Sequence, residues 1–348
     1  MFRRLLAFTG IWGLLLAVGL LWFAGSGTIR EASGLTMGTS WSAQWVVPPW
    51  QGRPPGLAAE FESLLERLDR QVFSTWAAES ELSRLNSQPV GTAMPVSGEL
   101  LEVLRLSREI SSLTGGAFDV TAGALVNLWG FGPDAPVAGS PRIPGEDEIR
   151  EALNRTGADR IELDESASTA IRLADIYIDL SAVAKGYAVD RMAALLEERG
   201  FDGYFLEIGG ELRISGRKPG FRPWLAALEA PDSEAFDIYA VVGNRGENFG
   251  IAGSGSYRNF FELEGERWSH QIDPRNGRPV RHELAAAYVI DPSAARADAL
   301  ATGLMVLGLA ESRAFAERNG QPILLIYADD DSGWSHYASP AFTRYQER

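Results

Sequence analysis

The sequence predicts an α+β fold built from largely antiparallel and mixed sheets with packed helices. Three observations carry this. Strand-like runs are joined by short turns that send the chain straight back, at Gly209-Gly210, Asn244-Arg245-Gly246 and Asp273-Pro274-Arg275-Asn276-Gly277. Helical and strand patterns are interspersed rather than repeated in strand-helix-strand order. No Gly-x-Gly-x-x-Gly opens a helix after the first strand, so a doubly wound dinucleotide fold is not indicated.

The elements follow in order. Leu5 to Ala24 is almost wholly apolar and follows Arg3-Arg4. A positive flank and about 20 apolar residues make residues 1–27 a secretory signal or a single N-terminal membrane anchor. The poor cleavage site at Ala24-Gly25-Ser26-Gly27 favours the uncleaved anchor. The positive end then stays in the cytoplasm and residues 28–348 lie outside the inner membrane, in the periplasm. Gly34 to Val47 reads as a strand entered through Thr36-Met37-Gly38-Thr39. Leu57 to Val72 is an amphipathic helix, with Phe61, Leu64, Leu65 and Leu68 on one stripe. A short helix, Glu79 to Leu85, stops at Asn86, and Ser97 caps a helix to about Leu113.

Glu146 to Asn154 reads as a further helix, and Arg160 to Leu163 with Ala170 to Leu173 as a hairpin. Ile176 to Leu180 is a strand, after which Ser181 can cap a helix from Ala182 to Arg199. Gly203 to Ile208 and Glu211 to Ile214 form a hairpin. Phe260 to Leu263 pairs with Arg267 to Ile272 around Gly265. Ala285 to Ile290 is a strand, followed by a helix opening at Ala297, a second helix from Glu311 to Arg318, and two closing strands.

Composition excludes several functions. The net charge is −14, with no cysteine and three histidines, His270, His282 and His336. An acidic chain is a poor partner for nucleic acid. Without cysteine there are no disulfides, cysteine-zinc sites or thiol catalysis. Any phosphate site must be local, built from helix ends, one or two cations and a metal ion.

Two stretches bear such chemistry. Asp298 and Thr302 are four residues apart and share a helix face. A carboxylate and a hydroxyl beside free carbonyls make half of an oxygen cage for a hard cation such as magnesium. The plainer reading of the pair alone is a helix-start charge and a back-bonded hydroxyl. Lys185-Gly186 falls in the first turn of a helix, where the dipole disfavours a cation. A lysine there makes sense if an anion sits on the helix end, the alternative being a side chain reaching to solvent. Gly253-Ser254-Gly255-Ser256-Tyr257-Arg258 reads as a loop, a flexible connection or a source of backbone donors for phosphate.

Taken together, an ordered set of motifs resembles the ApbE family of FAD:protein FMN transferases. They are Thr36-Met37-Gly38-Thr39, Ala117-Phe118-Asp119, Leu128-Trp129-Gly130-Phe131-Gly132, Asp179 to Tyr187, Ile208-Gly209-Gly210-Glu211, His270 to Gly277 and Ala297 to Thr302. They span nearly all of the chain from Thr36 to the 330s. The family usually carries Thr-Ser-Gly where this chain has Gly253-Ser254-Gly255, so any role of that threonine hydroxyl is missing.

The resemblance implies a magnesium-dependent enzyme outside the cytoplasm. Such an enzyme binds FAD as substrate, attaches FMN through a phosphodiester to a threonine or serine of a target protein, and releases AMP. The implied target is a subunit of a membrane redox complex bearing a Ser/Thr-Gly-Ala-Thr-like motif. By position, the implied metal ligands are Asp298, Thr302 and the carbonyls of Ala182 and Ala301. The implied FAD contacts are Met37, Trp76, Ala117, Phe118, Asp119, Asp179, Lys185 and Ile272. Trp76 and Phe118 suit planar rings, and Lys185 is the second clamp on phosphate. His270 is the candidate base, because an imidazole titrates near neutral pH; the alternative is a strand histidine facing Asp273 or solvent. His282 and His336 read as surface residues. Two other activities fit the same residues, a metal-dependent FAD diphosphatase and a non-catalytic flavin carrier.

Overall fold

The computed structural model describes residues 26–51, 56–132, 142–231, 237–256, 260–263, 265–329 and 333–347. Its centre is an eight-stranded, wholly antiparallel sheet. From edge to edge the strands are Thr28–Thr36, Thr39–Val47, Tyr204–Ile208, Glu211–Gly216, Gly246–Gly255, Leu284–Asp291, Ile323–Asp329 and Gly333–Ala338. The α+β expectation is borne out.

Both faces of this sheet are covered, which explains why its inner strands read as continuous apolar runs rather than alternating ones. In Ile323–Asp329, Ile323 and Leu325 enter the core on one face, while Leu324 and Ile326 enter the core on the other. The first face carries the helices Ala184–Glu198 and Ala294–Asn319. The second is covered by the hairpin Leu225–Glu229 with Ile238–Gly243 and by the short helix Pro340–Thr343. A third apolar cluster gathers Leu125, Trp129, Ile149, Trp268 and Ile272.

Several local expectations need correction. Gly34 to Val47 is not one strand. Met37 and Gly38 take φ of 48° and 74°, a hairpin turn that pairs Thr28–Thr36 with Thr39–Val47. The helix from Leu57 widens into a π-helical segment, Arg67–Phe73. Ile176 to Leu180 joins no ladder beyond a bridge from Tyr177 to Ala122. Asn86 takes the ladder's place: its amide donates to the Ile178 carbonyl at 2.8 Å and accepts the Ile178 N–H at 2.9 Å. Ser181 does not cap the next helix, which starts at Ala184. Its N–H is held instead by Asp179 Oδ1 at 2.8 Å, a local turn that competes with helix. Gly253-Ser254-Gly255 is the end of a paired strand and not a loop. Gly253 faces Tyr288, whose ring would lie 2.5 Å from any added Cβ.

Helix Ala294–Asn319 breaks at Gly308, with φ 77° and ψ 179°. The carbonyls freed there are claimed by Ser312 Oγ on Leu304 at 2.7 Å and by His282 Nε2 against Met305 at 2.8 Å. Both histidines are exposed, as expected: His282 also closes the helix break, and His336 hydrogen-bonds the Tyr239 hydroxyl. By length and composition this helix could cross a membrane, but it is mostly buried in the core. The N-terminal apolar segment lies outside the described residues.

Candidate active site

The site begins with a glycine. Helices Ala184–Glu198 and Ala294–Asn319 cross at their first turns, so close that a Cβ on Gly186 would lie 2.4 Å from the Ala294 carbonyl oxygen and 2.8 Å from Ala295 Cα. With only hydrogen at that position, the Gly186 N–H donates to Asp298 Oδ2 at 3.1 Å. One anion at the Lys185-Gly186 helix end is thus the carboxylate of Asp298. The second helix is fixed in turn by Asp190, which accepts from Ser293 Oγ at 2.7 Å and from the N–H groups of Ala294 and Ala295 at 3.0 Å.

Lys185 turns toward the cleft and its carboxylate partners, its side chain a quarter exposed. Its Nζ lies 3.2 Å from Glu211 Oε1 and 3.4 Å from the Ser181 carbonyl. Asp298 and Glu211 are each 4% exposed. Burial pushes the Asp298 carboxyl up, opposed by Lys185 and by the Gly186 N–H. Burial pushes Glu211 up to about 8, with Lys185 opposing and Asp298 reinforcing. Burial also works to discharge Lys185, but Asp298 and then Glu211 outweigh it and hold the ammonium above the ordinary lysine range.

Glu211 had no assigned role in the sequence reading. Its signal was the Gly209-Gly210 turn, which returns the chain so that Glu211 faces Lys185. Gly209 takes φ 59°, and a Cβ there would crowd Thr39 at 2.8 Å and the Lys185 stem at 3.3 Å.

These residues line a cleft of about 1260 Å³. Eleven of the residues named from the sequence for metal or FAD line it, and His270 lines it too: Met37, Trp76, Ala117, Phe118, Asp119, Asp179, Ala182, Lys185, Ile272, Asp298 and Thr302. Ala301 is wholly buried and is not part of this lining.

The individual placements differ in kind. Met37 sits in the hairpin turn, its N–H on Asp69 Oδ2 at 3.1 Å. Trp76 is 78% exposed, a free ring at the cleft, whereas Phe118 is 2% exposed and forms a wall rather than an open stacking surface. Asp119 is engaged by Thr121 through N–H at 2.8 Å and Oγ1 at 2.7 Å, and by the Ala158 N–H at 2.9 Å. Its carboxyl is nonetheless raised by burial. Phe131 sets its edge on His270, ring centres 6.2 Å apart. Trp129 from the same Gly-aromatic run is core, stacked on Trp268 at 5.3 Å.

Among the described residues no group of three or more His, Cys, Asp or Glu gathers to hold a metal ion. The donors present are oxygens: the Asp298 carboxylate, the Thr302 hydroxyl one helical turn on, and backbone around Ala182. Two buried carboxylates share one ammonium, and Glu211 Oε2 has no hydrogen-bond partner. An oxygen-lined wall short of positive charge fits a hard divalent cation that keeps positions open for water or phosphate.

The sequence pattern of the ApbE family matches residues 37–325. An FAD:protein FMN transferase of Vibrio cholerae serotype O1 is 38% identical over 310 residues, 89% of this chain and 90% of that protein. One from Escherichia coli strain K12 is 38% identical over 322 residues, covering 91% of this chain and 89% of its own. The solved flavin transferase ApbE from Vibrio cholerae has a TM-score of 0.81 at 36% identity, covering 92% of this chain and 99% of its own. The apo form of the Pseudomonas stutzeri flavinyl transferase ApbE has a TM-score of 0.82 at 35% identity, covering 92% and 97%. The match runs from the Met37 turn, through both crossing helices, to the core strand Ile323–Asp329: the chain belongs to the ApbE family.

Proposed function

We propose that this protein transfers the FMN half of FAD to a threonine or serine hydroxyl of another protein and releases AMP. The observation that carries this reading is the crossing of two helix starts at Gly186. It sets Lys185, Asp298 and Thr302 in one cleft with the aromatic Trp76 and with His270. The names of the relatives, FAD:protein FMN transferase, support the coarser part of this reading, passage of FMN from FAD to a protein.

In this reaction the acceptor Oγ bonds to the FMN phosphorus. The bond from that phosphorus to the bridging oxygen breaks, and AMP leaves with that oxygen. His270 takes the hydroxyl proton. Lys185, kept charged by its two carboxylates, holds phosphoryl oxygens and neutralises developing charge. Trp76 offers a face to one of the planar rings. Asp298, Thr302 and the Ala182 carbonyl would hold magnesium. When bound, the ion supplies charge neutralisation on the diphosphate. The acceptor is a subunit of a membrane redox complex with a Ser/Thr-Gly-Ala-Thr-like motif, and residues 1–27 anchor or export residues 28–348 as the catalytic domain to the periplasmic side.

The test is incubation of the protein with FAD, magnesium and a threonine-motif acceptor. In-gel flavin fluorescence on the acceptor with stoichiometric AMP is the expected result. AMP without label would make it an FAD diphosphatase, and tight FAD binding with neither product a flavin carrier.

A further inference from the structure

We propose that Arg70 binds a phosphoryl oxygen of the dinucleotide's diphosphate, which makes it a substrate-binding residue of the same cleft. The inference rests on the flavin-transfer reading and adds a residue to it.

Charge in the cleft is the starting point. Among the described residues, Asp69, Asp119, Asp179, Glu211, Glu229 and Asp298 line it, against two permanent cations, Lys185 and Arg70. Lys185 is committed to Glu211 and is held charged by Asp298 as well. Arg70 is the other. Among the described residues it has no ion pair and no hydrogen-bond partner, in a chain where most arginines near carboxylates are paired. A diphosphate carries about two negative charges near neutral pH and would enter a cleft lined by six acidic residues, most of them ionised. One divalent ion and one already engaged lysine leave it under-neutralised.

The backbone around Arg70 is built to present it. The residue sits in the π-helical segment Arg67–Phe73, and single wide turns of this kind recur at functional sites. The segment buries Leu68, Val72 and Phe73 in the core. That leaves Asp69 and Arg70 on the cleft side. Asp69 is spent on the Met37 N–H and so fixes the hairpin turn against the segment. Arg70 has no such duty. Just beyond, Ser74 Oγ accepts from the N–H groups of Trp76 and Ala77 at 3.0 Å, which fixes the backbone that carries the exposed Trp76 ring. A guanidinium fork and an open aromatic face lining one cleft suit a nucleotide, with phosphate on the fork and a ring on the indole.

The test uses the whole protein, with calorimetric titration of FAD, ADP and riboflavin into wild type, Arg70→Gln and Arg70→Lys. Arg70 is exposed, and unchanged melting temperatures confirm folded variants. Arg70→Gln is expected to weaken FAD and ADP by roughly ten-fold, with riboflavin unchanged and Arg70→Lys intermediate. The gap should narrow as salt is raised to about 0.5 M. Equal binding of ADP to wild type and Arg70→Gln overturns the assignment, as does an equal loss for riboflavin. If wild type labels an acceptor and Arg70→Gln binds ADP as tightly, the Arg70 assignment falls alone. If wild type binds FAD without ever labelling, the transfer reading falls while the ADP ratio still decides Arg70. Wild type that binds neither FAD nor ADP overturns both.

Discussion

Replacing Gly186 with alanine adds one methyl group at the place where two helices nearly touch. The new Cβ would meet backbone, 2.4 Å from the Ala294 oxygen, 2.7 Å from its carbonyl carbon and 2.8 Å from Ala295 Cα. None of these is the end of a flexible side chain, so the helices must part. Overpacking of this kind costs about 1–3 kcal/mol. Separation also stretches the Gly186 N–H bond to Asp298, 3.1 Å in this structure, and a hydrogen bond to a charged group is worth about 1.5–3 kcal/mol. Alanine returns about 1 kcal/mol of helix propensity. The net expectation is a loss of about 1.5–5 kcal/mol, read as a lower urea midpoint with unchanged slope, together with a fall in flavin transfer. A Gly186→Ala variant as stable as wild type and equally active would refute the argument, because overpacking and the lost hydrogen bond would then cost no more than the gain in helix propensity.

Asp298→Ala should abolish transfer and weaken FAD binding only when magnesium is present; a wild-type rate in magnesium buffer would remove Asp298 from the site. Asp190→Ala strands the Ser293 hydroxyl and two backbone donors at the start of the second helix. It should cost about 2–3 kcal/mol in denaturant melts, while Asp190→Asn, which keeps one acceptor, costs about half as much. His270→Ala should lower the transfer rate by roughly 10²–10⁴ and leave FAD affinity as it was. A loss confined to affinity would make His270 a binding residue and not the base.

The legible part of the molecule was its punctuation. Ser97 accepts from the Leu100 N–H at 3.2 Å as its helix-start position demands, and the two glycines at 209–210 turn a hairpin with φ of 59° and 102°. The Asp298 and Thr302 spacing placed both on the cleft side of one helix. The illegible part came from distant partners. Ile176 to Leu180 has the composition of a strand, yet a single amide, Asn86, satisfies Ile178 from 92 residues away. Glu211 is an ordinary strand residue until Lys185 arrives beside it. The turn at Met37 was hidden because a methionine at positive φ is a rare choice, tolerated here because Asp69 holds its N–H.

The bond from Gly186 to Asp298 joins positions 112 apart in the chain. A ribosome that has finished everything through Pro292 has made Lys185, Glu211 and Trp76, but neither Asp298 nor Thr302 of the same cleft. Assembly is therefore a late, all-at-once event, and contacts of such long range also form slowly. Until the last third of the chain is made and folded, the cleft lacks the wall that carries Asp298 and Thr302.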